Sequence, residues 1–310
     1  MSKYKTALVT GGAGFIGSHL VDALIRRRVK VYVIDDLSTG SRKNLNPNAT
    51  FYKMSVVDPS AAKLIARLTP DVVFHLAAQI DVRCSVEDPP ADARVNVMGT
   101  LNIAHASAKA GVKKFVFTSS GGAMYPDTLK PPYSEKTPDE PLSPYAIAKR
   151  SAEMYLDFEH RIHGMKYIVL RLANAYGPRQ ALRGGYAGVI SVFARQMLAG
   201  QKVVMNGSGK QTRDYVFVAD IVRAHMLAME KSATGIFNIG TGVQTSVNAL
   251  FEKIKRLTGS KQKEVYGPAC KGEVTRSALD ARKAAKELGW KPEVSLEEGL
   301  KKTVLWFKNI

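Results

Sequence analysis

The sequence predicts a doubly wound α/β fold, a parallel sheet with helices on both faces, and three observations carry that prediction. Up to about residue 172, short β-branched runs alternate with longer helical patterns. The runs are continuously apolar rather than alternating, as strands buried on both faces must be. A glycine-rich segment stands directly between the first run and the first helical pattern, the position where such sheets meet their ligands.

The expected strands are residues 6–10, 31–35, 72–76, 114–119 and 167–171, with helices at 15–27, 92–110 and 145–163 between them. Beyond 172 the rhythm changes. Turns at Gly177-Pro178, Gly184-Gly185, Gly207-Ser208-Gly209 and Gly240-Thr241-Gly242 separate shorter elements, and helices are expected near 246–257 and 296–307. This divides the chain into a dinucleotide-binding domain at 1–172, to which part of 203–235 returns, and a smaller mixed α/β lobe at 173–310 that closes over the carboxyl edge of the sheet.

With 310 residues, 45% of them hydrophobic, the chain can bury a large core. No hydrophobic leader with a cleavage site precedes residue 6, so no secretory signal is expected. No apolar run approaches the roughly 18–20 residues that span a bilayer. Cys84 and Cys270 are too few for a disulfide framework or a thiolate metal site. A soluble, cytoplasmic chain with no membrane partner is expected. The net charge of +18 would attract anions. Its basic residues are dispersed, however, and the densest run, Arg26-Arg27-Arg28-Val29-Lys30, ends a helix, where cations are favoured anyway. No nucleic-acid partner is expected.

The strongest local signal is Thr10-Gly11-Gly12-Ala13-Gly14-Phe15-Ile16-Gly17. Gly12, Gly14 and Gly17 fit G-x-G-x-x-G, and Gly11, Gly14 and Gly17 fit the wider G-x-x-G-x-x-G. Glycine permits the tight turn, close approach of a pyrophosphate and close helix–strand packing, while the helix N-terminus faces the phosphates. Asp35 follows at the end of the second strand. A carboxylate there accepts hydrogen bonds from ribose hydroxyls and repels a 2′-phosphate, which favours NAD over NADP. Asp58 could face the adenine amino group or simply hold a turn.

Tyr145 and Lys149 stand one helical turn apart on one face. A nearby ammonium is expected to lower the tyrosine pKa, fitting the phenolate to act as a general base toward a hydroxyl. The strand ahead of them ends in Thr118-Ser119-Ser120, hydroxyls that can share the reacting oxygen.

These segments resemble the NAD-dependent epimerase/dehydratase family of extended short-chain dehydrogenases/reductases. The likeness rests on residues 10–20, on His75-Leu76-Ala77-Ala78, on Ser143-Pro144-Tyr145 through Lys149, and on Arg171-Leu172-Ala173-Asn174-Ala175-Tyr176-Gly177-Pro178-Arg179. It continues through 213–220 and Asn238-Ile239-Gly240-Thr241-Gly242 and covers nearly the whole chain, closest to compact UDP-glucose 4-epimerases. The resemblance implies NAD-dependent 4-epimerisation of a UDP-sugar through a 4-keto sugar. It implies Tyr145, Lys149 and Ser120 as catalytic residues. The cofactor would meet Gly11, Gly14, Phe15, Ile16, Gly17 and Asp35, then Asp58, Ala77 and Asn96, with Tyr145 and Lys149 at its reactive end. Ser120, Asn174, Arg213 and Ser277 would face the substrate, and relatives imply a homodimer formed by the helices at 92–110 and 145–163.

Several positions depart from the family pattern. The residue four before Tyr125 is Gly121 where a Ser or Thr is usual, so the catalytic hydroxyl is assigned from the strand end to Ser120, with Ser119 as the alternative. Cys270 and Glu273 replace a usual Arg and Asp, leaving Lys271 or Arg276 to supply phosphate charge. A small Ser277, where some epimerases carry Tyr, leaves room for an N-acetyl group. No carboxylate lies between Ser120 and Tyr125, which disfavours sugar dehydratase and decarboxylase chemistry. A UDP-glucuronate 4-epimerase and a non-catalytic NAD- or RNA-binding member are the remaining alternatives. His75 reads as structural, and Met197, Met205, Met226 and Met229 read as core. His160 and His163 have no obvious third ligand, so no metal is expected.

Overall fold

The computed structural model describes residues 4–180, 188–268 and 274–310. Its central sheet has seven strands, all parallel: β1 (Thr6–Thr10), β2 (Lys30–Asp35), β3 (Thr50–Lys53), β4 (Val72–His75), β5 (Lys114–Ser120), β6 (Lys166–Leu172) and a seventh at Gly235–Ile239. Across the sheet the order is seventh strand, β6, β5, β4, β1, β2, β3. The order reverses between β1 and β4, which opens a crevice at their carboxyl ends.

β3 is an edge strand whose residues are exposed or only half-buried. That leaves no apolar run to announce it, and it was absent from the expected elements. The seventh strand lies beyond the expected boundary at 172 and just past the 203–235 segment. It pairs with β6 from Gly235↔Ile168 to Ile239↔Leu172.

The helices are α1 (Phe15–Arg26), α2 (Pro59–Leu68), α3 (Val82–Glu87), α4 (Pro89–Ala93), α5 (Thr100–Lys109), α6 (Pro144–His163), α7 (Val189–Leu198), α8 (Val218–Glu230), α9 (Val247–Thr258), α10 (Arg282–Leu288) and α11 (Leu296–Lys308). The single helix expected at 92–110 is compound: α4 runs through a π-turn at Arg94–Gly99 into α5. α6 starts where Ser143 accepts the Ala146 N–H and Pro144 takes the first helical position, and it stops at the left-handed Gly164. α8 packs on α1. Toward the carboxyl end, three two-stranded pairs and the mutually packed α7, α9 and α11 form the smaller layer.

Buried charge ties the layers together. Arg171 of β6 is 1% exposed. Its guanidinium grips the Glu153 carboxylate of α6 at 2.6 and 3.0 Å and the Asp139 carboxylate at 2.6 and 3.1 Å, and it donates to the Tyr125 hydroxyl at 3.0 Å. Ser119 of β5 donates to the same Glu153 at 2.6 Å. In the smaller layer, buried Asp214 accepts the backbone N–H groups of Thr241, Gly242 and Leu279.

Two buried histidines flank the sheet. His75 bridges the Thr10 hydroxyl (Nδ1, 2.8 Å) and the Thr100 hydroxyl (Nε2, 3.1 Å), as a structural residue would. His225 of α8 donates from Nδ1 to the Ile221 carbonyl, which leaves Nε2 to accept from the Thr118 hydroxyl at 2.8 Å. Burial pushes His75 down to about 3 and His225 down to about 4. The unfolded chain therefore takes up protons below pH 6.5 that the folded chain refuses. Their stability contribution is complete above 6.5 and lost as pH falls toward 4, by about 1.4 kcal/mol per histidine per pH unit. Urea unfolding at pH 7 and pH 4.5 should show this loss, and a His75→Gln/His225→Gln double variant should show a shallower decline. Equal slopes would refute the assignment.

Candidate active site

A cleft of about 580 Å³ opens at the carboxyl edge of the sheet, walled by the glycine loop, the ends of β2, β4, β5 and β6, and the first turns of α6. Gly11 turns through φ +71°, and a Cβ there would lie 2.7 Å from the Ala77 nitrogen. A Cβ on Gly17 would lie 2.1 Å from the Gly11 oxygen, so the loop can close on α1 only without side chains. No side chain caps the α1 N-terminus, so its positive end is presented to the cleft. Asp35 is buried at the end of β2 and accepts from the Ala13 N–H (3.0 Å) and the Leu37 N–H (2.8 Å). Burial pushes its carboxyl up and those two bonds pull it down.

At the other end of the cleft, the Ser120 side chain lies beside the Tyr145 phenol and draws its pKa down against the effect of burial. Lys149 is buried, donates to the Thr118 carbonyl at 3.0 Å, and sits 5.9 Å from the Tyr145 ring centre. Ser119 points away to Glu153. Of the two hydroxyls weighed from sequence, the geometry therefore joins Ser120 to the tyrosine.

The electrostatics reverse one expectation. Burial pushes the Tyr145 phenol up to about 12, and the negative charge of Asp92 adds to the rise. Burial likewise pushes Lys149 down to about 8, against the pull of Asp92 and Glu153. The expected lowering of the phenol by the lysine does not operate in the chain alone, because desolvation dominates and the ammonium is turned to the Thr118 carbonyl.

Gly11, Gly14, Phe15, Ile16, Gly17, Asp35, Ala77, Ser120, Tyr145, Lys149 and Asn174 all line the cleft. Four other expected residues do not. Asp58 is exposed and caps α2, its Oδ1 accepting the Ser60 N–H at 2.7 Å. Asn96 is buried with its amide bonded to Gln79 and Asp92, behind the cleft wall. Arg213 lies on the neighbouring strand Thr212–Arg213, one residue before Asp214, whose carbonyl accepts the Asn174 N–H. Ser277 is buried beside that strand through its N–H to the Thr212 carbonyl at 3.2 Å. Cys270, Lys271 and Glu273 lie outside the described residues.

Sequence reasoning missed Asp92. It is 1% exposed and accepts from Gln79 (2.8 Å) and Asn96 (2.9 Å). Its second oxygen has no hydrogen-bond partner among the described residues, and its charge acts on both Tyr145 and Lys149. The i,i+4 spacing of Asp92 and Asn96 on a helix was the available signal.

Residues 7–240 match the model of the NAD dependent epimerase/dehydratase family. The chain belongs to this family. The chain is 44% identical over 308 residues to a UDP-glucose 4-epimerase of Mycolicibacterium smegmatis, covering 97% of this chain and 98% of that one. The structure of a UDP-glucose 4-epimerase of Thermotoga maritima with UDP-glucose superposes with a TM-score of 0.96 at 51% identity, covering 98% and 99% of the two chains. A UDP-N-acetylglucosamine 4-epimerase of Methanobrevibacter ruminantium, solved with UDP-N-acetylmuramic acid, gives 0.93 at 37% identity, covering 100% and 99%. Within the epimerase/dehydratase scaffold, the buried Asp92 gives a measurable consequence. In nitrogen-15 lysine spectra, Lys149 should titrate near pH 8, well below the other lysines. Asp92→Asn removes a charge that raises Lys149, so its midpoint should move lower still. An unmoved midpoint would disprove the coupling.

Proposed function

We propose that this chain is an NAD-dependent 4-epimerase that interconverts UDP-glucose and UDP-galactose. The observation that carries this reading is that Ser120, Tyr145 and Lys149 share one cleft with a side-chain-free phosphate cradle. The cradle fits NAD. Gly11, Gly14 and Gly17 with the α1 N-terminus would hold its pyrophosphate, and Asp35 its adenosine ribose. Bound there, NAD would supply a reversible hydride acceptor for sugar carbon 4.

The protein's own residues handle the proton. Tyr145 takes it from the sugar 4-hydroxyl and, once the 4-keto sugar has turned, returns it to the 4-oxygen as hydride reaches the other face of carbon 4. Ser120, beside the phenol in the same cleft, holds the same oxygen. Lys149 supplies the local positive charge and a ribose contact. Asn174 and Arg213 hold the UDP pyrophosphate, and Arg213 adds the charge-assisted contact. Between Ser120 and Tyr125 stand only Gly121, Gly122, Ala123 and Met124, so no carboxylate follows Ser120 there, which favours epimerisation over dehydration or decarboxylation. The N-acetylhexosamine pair is a second substrate reading, favoured by the relative named a UDP-N-acetylglucosamine 4-epimerase.

A homodimer goes with this reading. Ile147, Met154, Tyr155, Phe158 and Ile162 are exposed along one face of α6, with exposed Val82 and Val86 on the adjoining α3. Among the described residues no helix is long and apolar enough to cross a membrane. We place the enzyme in the cytoplasm.

Incubation with UDP-galactose, without added NAD and followed by proton NMR, should yield UDP-glucose. Tyr145→Phe should lower kcat at least a thousandfold. Absence of turnover on UDP-galactose, UDP-N-acetylgalactosamine and UDP-glucuronate, even with NAD supplied, would rule the reading out.

A further inference from the structure

A second cluster of chemistry-bearing side chains lies away from the cleft, where α5 packs on the far end of α6. His105 of α5 meets Glu159 and His163 of α6. One potential ligand atom from each falls within 4.8 Å of the other two. The sequence pairing of His160 with His163 is replaced in space, because His160 turns to the Met165 carbonyl while His105 and Glu159 come to His163.

Glu159 is the informative member. Its side chain is 1% exposed. Oε1 lies 2.9 Å from His105 Nδ1, and Oε2 is buried with no hydrogen-bond partner among the described residues, 3.6 Å from His163 Nε2. A buried carboxylate oxygen without a hydrogen-bond partner costs solvation. Two imidazole nitrogens and one carboxylate form a donor set suited to zinc-type ions, whereas magnesium and calcium prefer oxygen ligands. Donor atoms around a tetrahedral zinc stand roughly 3.3 Å apart, so small side-chain rotations close this site. His105 and His163 are partly open to solvent, with side chains 52% and 29% exposed, which gives an ion a way in.

We propose that His105, Glu159 and His163 bind a divalent transition-metal ion of the zinc type, and that the ion staples α5 to α6. Tyr145 lies 18 residues away on α6, about 27 Å at 1.5 Å per residue. The bound ion is therefore structural and takes no part in sugar chemistry. Three protein ligands leave one position for water.

The test uses the full chain, stripped with a chelator and dialysed. Titration with zinc chloride by calorimetry should show one ion per chain at micromolar affinity or tighter, and cobalt(II) should give the visible absorption bands of a tetrahedral site. Zinc should raise the thermal midpoint by mass action, and magnesium should leave it unchanged. His105→Ala and His163→Ala, both at partly exposed positions, should each weaken zinc binding at least tenfold and remove the midpoint shift. The isosteric Glu159→Gln should do the same. The proposal is overturned if the wild-type chain binds no zinc, or if the histidine variants bind it as tightly as the wild type.

Discussion

The buried guanidinium of Arg171 is the interaction on which the rest of the site depends. One side chain on β6 is bonded to Glu153 on α6, to Asp139 in the segment ahead of α6, and to Tyr125 in the segment after β5. Ser119 of β5 shares the Glu153 carboxylate. The elements that converge here position the phenol and the ammonium, because Tyr145, Lys149 and Glu153 succeed one another on α6. Charge balance makes the cluster tolerable. Arg150 joins at 2.7 Å from Asp139 and 3.6 Å from Glu153, giving two cations for two carboxylates. Such a cluster need not stabilise more than well-packed apolar residues would, but removing one partner strands the others without solvation. Its effect is geometric: the catalytic helix can adopt one placement on the sheet.

Desolvation then tunes what that helix presents. Tyr145 and Lys149 are pushed in opposite directions by the same burial, up to about 12 and down to about 8, so the phenol stays neutral while the ammonium survives near neutral pH by a narrow margin. A positively charged nicotinamide ring, held beside this pair as proposed, would favour the phenolate that takes the sugar proton.

The parallel sheet, the glycine loop, Asp35 and the Tyr145–Lys149 pair were all legible in the sequence, because each shows as a local period or spacing. β3 was not, since an edge strand with half-buried faces carries no apolar signature. The joining of the Gly235–Ile239 strand to β6 depends on pairing across more than sixty residues, which no local pattern encodes. The outcome at Asp58 and Asn96 turned on competition. A carboxylate two residues before Ser60 caps the helix that starts there, and an amide four residues after Asp92 bonds inward. Arg171 was visible only as part of a motif, because its partners at 125, 139 and 153 come from three separate segments. The His105–Glu159–His163 cluster was hidden for the same reason.

A double-mutant cycle on Arg171 and Glu153, read by urea unfolding at pH 7, tests the central claim most directly. Arg171→Met and Glu153→Gln should each cost about 3–5 kcal/mol, because each leaves buried charge uncompensated. The double variant should lose clearly less than the sum, with a coupling of at least about 1 kcal/mol. Additive losses would contradict the account, and the placement of the catalytic helix would then have to rest on apolar packing alone.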